Sequence, residues 1–428
     1  MNGARVQAEL TWVDGCFRPG VEIVIGEAGR FESVVMDSAG PPTHPGMAVL
    51  PGFVNAHSHS FQRGLRGRGE LFPGAAEDFW TWREAMYELV ESMDATRLRE
   101  LARSAFREMR LAGITTVGEF HYLHHLAGGE RFGADRIVLE AADEAGIRIV
   151  LLSAHYTRGG FDRPLAGGQR HFDTVGLEAY WESFDRLSSS LATNQSLGVV
   201  AHSLRAVPMD EVVELHAEAN RRGLVMHLHV EEQRQEIEAC RSATGATPSR
   251  LLLDRLQPGP ECTAVHATHT DPDDLQAWLD RGCGICLCPL TEANLGDGFP
   301  DRVRMLGRHE SVSIGSDSNA RISMLEELRM LELSHRLHSE QRGAWRDADG
   351  RVDRVLLDMA TTGGARALGI DAGRIAAGAL ADLVLVDLGS DSLQHVDPES
   401  LGAGLLLGAD REAIVDTCVG GRWGVPDH

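Results

Sequence analysis

No lysine occurs anywhere in the 428 residues, so all 41 basic side chains are arginines. Chemistry that needs a primary amine is thereby excluded: no Schiff base, no P-loop cation, and no carboxylated lysine bridging two metals. Basic charge is also scarce against acid, 41 residues to 63, for a formal net charge of −22. Such a surface repels phosphate backbones and anionic headgroups, and no arginine stripe offsets it, which argues against nucleic acid and membrane as partners. An anionic ligand would then need a locally positive pocket, so arginines near a reactive centre carry weight. No apolar run reaches the about 18 residues that span a bilayer. Residues 1–10 lack the basic start and apolar stretch of a secretory signal, so a cytoplasmic protein is expected. The seven cysteines are odd in number and scattered, as in a reduced compartment rather than a disulfide framework. Cys283, Cys286 and Cys288 crowd together, but they read as a buried strand whose alternation separates Cys283 from Cys286; small apolar packing accounts for them.

What is present has a clear order. Residues 4–50 are short β-branched runs, such as Val21-Glu-Ile-Val-Ile25, broken by Gly and Pro, and read as a β meander. From residue 51 strands alternate with helical segments, the pattern of parallel β/α units. Eight strands are predicted, at 48–56, 115–120, 148–154, 197–201, 224–228, 263–267, 284–287 and 312–315. Segments 96–111, 209–222 and 271–281 between them carry apolar residues at helical spacing. Eight such units predict an α/β fold, a closed (β/α)₈ TIM barrel over residues 51–368. After helices at 323–338 and near 352–368, strand-like runs return at 380–386 and 413–419. The two β-rich ends, 1–50 and 369–428, are expected to form one small discontinuous β-sandwich domain.

In such barrels reactive groups gather where strands end. His57 and His59 follow the first predicted strand, His229 the fifth, His266 the sixth and Asp317 the eighth. His57-Ser-His59 puts two imidazoles on one side of an extended segment. With His229 and Asp317 they make an N/O ligand set suited to one zinc ion, iron(II) being the alternative. The bland alternative, histidines hydrogen-bonded at the barrel mouth, leaves the agreement of four strand ends unexplained. Glu232 lies three residues after His229; if the chain turns helical there, it faces the same side and can move protons between water and a leaving nitrogen. Glu231 competes with it as a helix N-terminal carboxylate. His266 is placed to stabilise the tetrahedral intermediate, a capping histidine being its other reading.

These motifs, Pro51-Gly-Phe-Val-Asn-Ala-His-Ser-His59, His229-Val-Glu-Glu232, His266, Ser316-Asp317-Ser318 and the closing segment from Gly373 to Asp387, resemble the amidohydrolase superfamily. The likeness runs over nearly the whole chain. The missing lysine and His229-x-x-Glu232 point within it to the mononuclear deaminase branch. A finer set is similar to the formimidoylglutamate deiminase family: Phe61-Gln-Arg63, Asp78-Phe-Trp-Thr-Trp-Arg83, Glu119-Phe-His-Tyr122, His202-Ser-Leu-Arg-Ala206 and Thr291-Glu-Ala-Asn-Leu-Gly-Asp-Gly298. Pro289-Leu290 departs from that pattern just before its last string.

That resemblance implies hydrolysis of N-formimidoyl-L-glutamate to N-formyl-L-glutamate and ammonia, a step of histidine breakdown. Water activated at the metal attacks the formimidoyl carbon, Glu232 and Asp317 handle protons, and His266 stabilises the intermediate. A substrate with two carboxylates needs bidentate cations, and Arg83 and Arg205, in the loops after strands one and four, supply them beside Tyr122. Without the resemblance, Arg83 as a helix cap and Arg205 in a surface ion pair are equally good readings. Gln62 and His202 are further contacts, whereas His121, His124 and His125 are expected behind the site or at the surface. Two other functions stay open: a deaminase acting on a guanine-like or triazine ring, and a metal-binding scaffold without catalysis. A homodimer is the expected assembly.

Overall fold

The computed structural model describes residues 4–70 and 79–426. Eight parallel strands form one sheet in sequence order: β1 Phe53–Ser58, β2 Ile114–His121, β3 Arg148–His155, β4 Gln195–Ala201, β5 Met226–Val230, β6 Cys262–His266, β7 Gly284–Leu287 and β8 Val312–Ile314. A parallel bridge between Ser58 and Asp317 brings the last strand back to the first, so the sheet is a nearly closed barrel. The strands are buried on both faces, which is why they read as unbroken apolar runs. Helices α1 Phe79–Glu91, α2 Ala95–Leu111, α3 Gly133–Glu144, α4 Leu177–Ser188, α5 Met209–Arg222, α6 Arg234–Thr244, α7 Pro248–Arg255, α8 Pro272–Asp280 and α9 Pro289–Leu295 lie in the connections. Their starts are set by local chemistry. Asp94 accepts from the Arg97 amide at 2.8 Å and Asp271 from that of Asp273 at 2.9 Å, giving α2 and α8 their first turns.

Both ends of the chain build the remaining strands. A six-stranded mixed sheet runs Arg422–Trp423, Ile414–Val419, Leu383–Asp387, His44–Pro51, Ala8–Val13 and Cys16–Arg18, and a three-stranded sheet joins Ala4–Val6, Glu22–Ile25 and Phe31–Val35. Ile23, Ile25 and Phe31 of one meet Val49, Leu383 and Leu385 of the other in a core separate from that of the barrel. Arg148 at the start of β3 fastens this assembly to the barrel. It donates two parallel bonds to Asp382, at 3.0 and 3.1 Å, and both side chains are buried.

One predicted strand, 48–56, is in fact two. His44–Pro51 belongs to the mixed sheet and Phe53–Ser58 to the barrel, with Gly52 between them. A Cβ at Gly52 would fall 2.1 Å from the Thr115 hydroxyl, so only glycine lets the chain cross from one sheet to the other. The C-terminal stretch also contains a helix, Leu401–Gly408, where the sequence suggests only strands. Among the described residues no helix is long and apolar enough to cross a membrane.

Candidate active site

The residues at the strand ends converge on one buried point. Nε2 of His57 and of His229 approach to 3.3 Å. Nε2 of His57 and of His59 lie 3.5 and 3.3 Å from Oδ1 of Asp317. Their outer nitrogens explain the aim: Nδ1 of His59 bonds the Phe120 carbonyl at 2.7 Å, and Nδ1 of His229 bonds the His202 carbonyl at 3.1 Å. Donating there leaves a lone pair on each Nε2. Burial first, then neighbouring imidazoles, lowers His59 to about 3 and His229 well below the ordinary histidine range. Nε2 of His59 and of His229 thus turn lone pairs toward the common point, and burial lowers His57 beside them as well. Asp317 is held below the usual carboxylate range, because His57 and His59 outweigh the effect of burial. Lone pairs and a carboxylate facing a common point fit a divalent cation, and without one they would be mutually repulsive.

His266, at the end of β6, borders the same space in a different state. Its Nε2 lies 3.7 Å from Oδ2 of Asp317 and 3.9 Å from Oε1 of Glu232, and Nδ1 lies 3.3 Å from Oε1 of Glu292. Against burial, these carboxylates hold its pKa well above the ordinary value. A protonated imidazole there is a donor toward developing negative charge. Glu232 is raised in turn, chiefly by burial.

The route by which Glu232 arrives differs from the expected one. No helix begins at His229; α6 starts at Arg234. Glu231 adopts φ +53°, and this left-handed kink presents Glu232 to the pocket. Glu231 itself turns away to accept from the Ser249 amide at 2.9 Å. Left-handed non-glycine residues cluster here: Glu231, His266, Ala267, Asp317 and Asn319 are five of the thirteen among the described residues. Each costs about 1–3 kcal/mol, so the surrounding structure must hold them.

The holding network was not foreseen from the sequence. Ser316 N donates to Oδ1 of Asn55 at 2.9 Å and Nδ2 of Asn55 to the Ser316 hydroxyl at 2.7 Å. Nδ2 of Asn319 bonds the Ser58 hydroxyl and the His59 carbonyl, both at 3.0 Å. Together these tie β1 to the loop carrying Asp317. Gly315 permits the approach, since a Cβ there would lie 2.7 Å from that of His57. The available signal was Asn55 itself, a polar residue inside an otherwise apolar strand that must find a partner.

A pocket opens above this point, bordered by His59, His229, Glu232, His266 and Asp317 at its floor. Gln62, Arg83, Tyr122, His202 and Arg205 also border it, so every predicted contact residue is brought there. Arg83 stands on helix α1 rather than in a loop, and Asp78 of its motif lies outside the described residues. Nε of Arg83 donates to the Tyr87 hydroxyl at 2.6 Å, and Nε2 of Gln62 to the Tyr122 hydroxyl at 2.6 Å. Burial and the nearby Arg205 both lower the pKa of Arg83, so the two guanidiniums share one electrostatic neighbourhood. Nε of Arg205 is buried without a hydrogen-bond partner. Sequence reasoning missed Tyr87, Tyr156 and Phe172 in the pocket wall. His121 and His124 lie behind the site, buried and sharing Oδ1 of Asp135 at 3.1 and 2.9 Å, while His125 is partly exposed.

Comparison with known proteins agrees with this fold. The profile of the amidohydrolase family matches residues 48–423. The formimidoylglutamate deiminase of Pseudomonas aeruginosa is 39% identical over 391 residues, 89% of this chain and 85% of that protein. A 5-methylthioadenosine/S-adenosylhomocysteine deaminase of Natronomonas pharaonis is 28% identical over 410 residues, 94% of this chain and 87% of that one. The crystal structure of an amidohydrolase from Brucella melitensis superposes with a TM-score of 0.85 at 32% identity, covering 98% of this chain and 94% of its own.

Proposed function

The chain belongs to the amidohydrolase family and is a metal-dependent hydrolase of its deaminase and deiminase members; we propose that it hydrolyses N-formimidoyl-L-glutamate to N-formyl-L-glutamate and ammonia. The observation that carries this reading is the pairing of Arg83 with Arg205 in the pocket above the histidine cluster. Two guanidiniums brought together inside an acidic protein suit a ligand with two carboxylates. The 39% identity to a formimidoylglutamate deiminase supports the same substrate.

His57, His59, His229 and Asp317 would hold the metal, which we assign as zinc, ferrous iron being the other ion that their donors accept. When bound, such an ion supplies Lewis acidity and brings the pKa of a water toward neutrality. Glu232 takes the proton of the attacking water as the C–O bond forms at the formimidoyl carbon. The carbon becomes tetrahedral as the C=N π pair moves onto nitrogen, and His266, kept protonated by its carboxylate neighbours, donates a hydrogen bond that stabilises this intermediate. Glu232 then returns its proton to the departing nitrogen, Asp317 passes the remaining hydroxyl proton of the tetrahedral carbon to that nitrogen as the formyl C=O forms, and the C–N bond breaks to release ammonia. Asp317, anionic and facing His266, keeps that imidazole charged and oriented. Arg83, Arg205, Tyr122, Gln62 and His202 hold the glutamyl carboxylates away from the reacting carbon.

The aromatic wall of Tyr87, Tyr122, Tyr156 and Phe172 is the feature a ring-deaminase reading would use. Steady-state ammonia release from formimidoylglutamate, guanine and 5-methylthioadenosine by the zinc-replete protein separates the two. Turnover confined to formimidoylglutamate is expected; turnover of a purine alone would overturn the assignment.

A further inference from the structure

Glu236 has no part in the chemistry above and no structural task. It lies in the first turn of α6, where a carboxylate ordinarily accepts a free backbone N–H. Here its oxygens accept none. The side chain is only 7% exposed, and its Oε1 is buried without a partner. It borders the pocket above the histidine cluster and also an outer cavity lined by Gly159, Asp162 and Arg163. Arg83 and Arg205 border the same two cavities. Nε of Arg205 is likewise buried and unpartnered, and no ion pair joins it to Glu236. Two buried groups of opposite formal charge facing one cavity, each left with an unpaired polar atom, define a space for a ligand that both can contact.

Resting on the substrate reading given above, we propose that Glu236 is a specificity residue that binds a substrate carboxylate as a neutral acid, donating its hydroxyl hydrogen beside Arg205. An ionised Glu236 would repel a dianion; a protonated one supplies the donor that the carboxylate needs. The surroundings favour the neutral form. Burial pushes Glu236 up to about 7; Arg205 and His266 oppose the rise, and Glu232 and Glu231 add to it. Further groups face it from other elements: Arg83 and Tyr87 from α1, Tyr156, Asp162 and Arg163 from the segment after β3, and Cys240 one turn along α6. A bound dianion adds negative charge and raises Glu236 further, so binding takes up a proton. As pH rises above about 7 the free acid is depleted and KM climbs, by at most about tenfold per pH unit.

The test uses the full-length, zinc-replete protein with N-formyl-L-glutamate as the binding probe. Calorimetric titration at about pH 7.5, in two buffers of different ionisation enthalpy, counts the protons taken up. Wild type is expected to take up a fraction of a proton, and Glu236→Gln, which keeps a neutral donor, none. The rise of KM for formimidoylglutamate with pH should vanish in Glu236→Gln and return, displaced, in Glu236→Asp. Equal proton uptake by wild type and Glu236→Gln, or an unchanged slope of KM, would overturn the role. A merely structural residue would lower thermal stability and leave both slopes in place. Absence of any turnover of formimidoylglutamate overturns the substrate reading itself and is distinguishable from both results.

Discussion

Replacing Arg205 by methionine isolates the group that selects the substrate. Methionine retains much of the aliphatic stem and removes the guanidinium. The buried Nε of Arg205 has no protein partner, and the side chain forms no ion pair among the described residues. Its removal therefore breaks no charge pair in the free protein. A charged hydrogen bond to a carboxylate contributes about 1.5–3 kcal/mol, which is about 10- to 150-fold in affinity. KM for formimidoylglutamate is expected to rise by that factor with a smaller change in kcat, since Arg205 acts on the carboxylates and not on the reacting carbon. Thermal unfolding should stay level or fall slightly, because Arg205 has no ion pair to lose but nearby Tyr156, Glu236 and Glu232 favour its charge against burial. The assay is ammonia release against substrate concentration, beside calorimetric unfolding of both proteins. An unchanged KM refutes the reasoning. So does a large loss of stability, because it would reveal a structural partner for Arg205.

Glu232→Gln keeps side-chain volume but cannot accept a proton; kcat is expected to fall about 10²- to 10⁴-fold, with one metal per chain still found by elemental analysis. Asp382→Ala strands the buried guanidinium of Arg148 between the barrel and the terminal sheet. A loss of about 3–5 kcal/mol is expected by denaturant unfolding, and pairing the change with Arg148→Met should recover much of it. Asp135→Asn keeps an acceptor oxygen but removes the negative charge that His121 and His124 share. Burial favours the neutral acid, but the two histidines hold Asp135 far below the ordinary carboxylate value. Its contribution to stability is therefore present above about pH 4 and lost as pH falls through the depressed value. The gap between wild type and Asp135→Asn in chemical denaturation should be wide near pH 6 and narrow on acidification below about pH 4.

Much of the barrel was legible because its signals are local. Apolar runs bounded by Gly and Asp mark the strands, and acids such as Asp94 and Asp271 mark helix starts in plain sequence. The ligand-bearing residues were legible because strand ends are where such a barrel exposes side chains. What escaped depends on tertiary context. The run 48–56 has no periodicity that marks its division, and only the crowding of Gly52 against Thr115 explains it. Leu401–Gly408 is half glycine and alanine, a poor isolated helix former stabilised by burying Leu401, Leu405 and Leu406. Glu232 was assigned to the pocket for the wrong geometric reason, since a left-handed Glu231 cannot be read from neighbouring residues. Glu236 reads as an ordinary helix-start acid until its missing acceptor contacts are seen.

The distribution of unpaired polar atoms argues that the pocket was built for a polar ligand. Oε1 of Gln62, Nε of Arg205 and Oε1 of Glu236 are all buried, lack partners and belong to residues bordering the one pocket. Each such atom costs about 1–3 kcal/mol, a burden comparable with the stability of many whole domains when several lie together. A pocket meant for a purely apolar ring would gain by replacing them with apolar side chains of the same shape. A pocket meant for a polar ligand must instead keep donors such as Nε of Arg205 and acceptors such as Oε1 of Gln62 unsatisfied until the ligand arrives, and the fold must offset the expense elsewhere. It does so where the left-handed strand ends are pinned: Asn55, Ser316 and Asn319 satisfy one another across the closure of the barrel, leaving Asp317 fixed beneath the pocket. Paired bonding in the loop that carries Asp317 and open bonding in the pocket above it are two sides of one arrangement. The first holds the chemistry rigid, and the second reserves hydrogen-bonding capacity for the substrate.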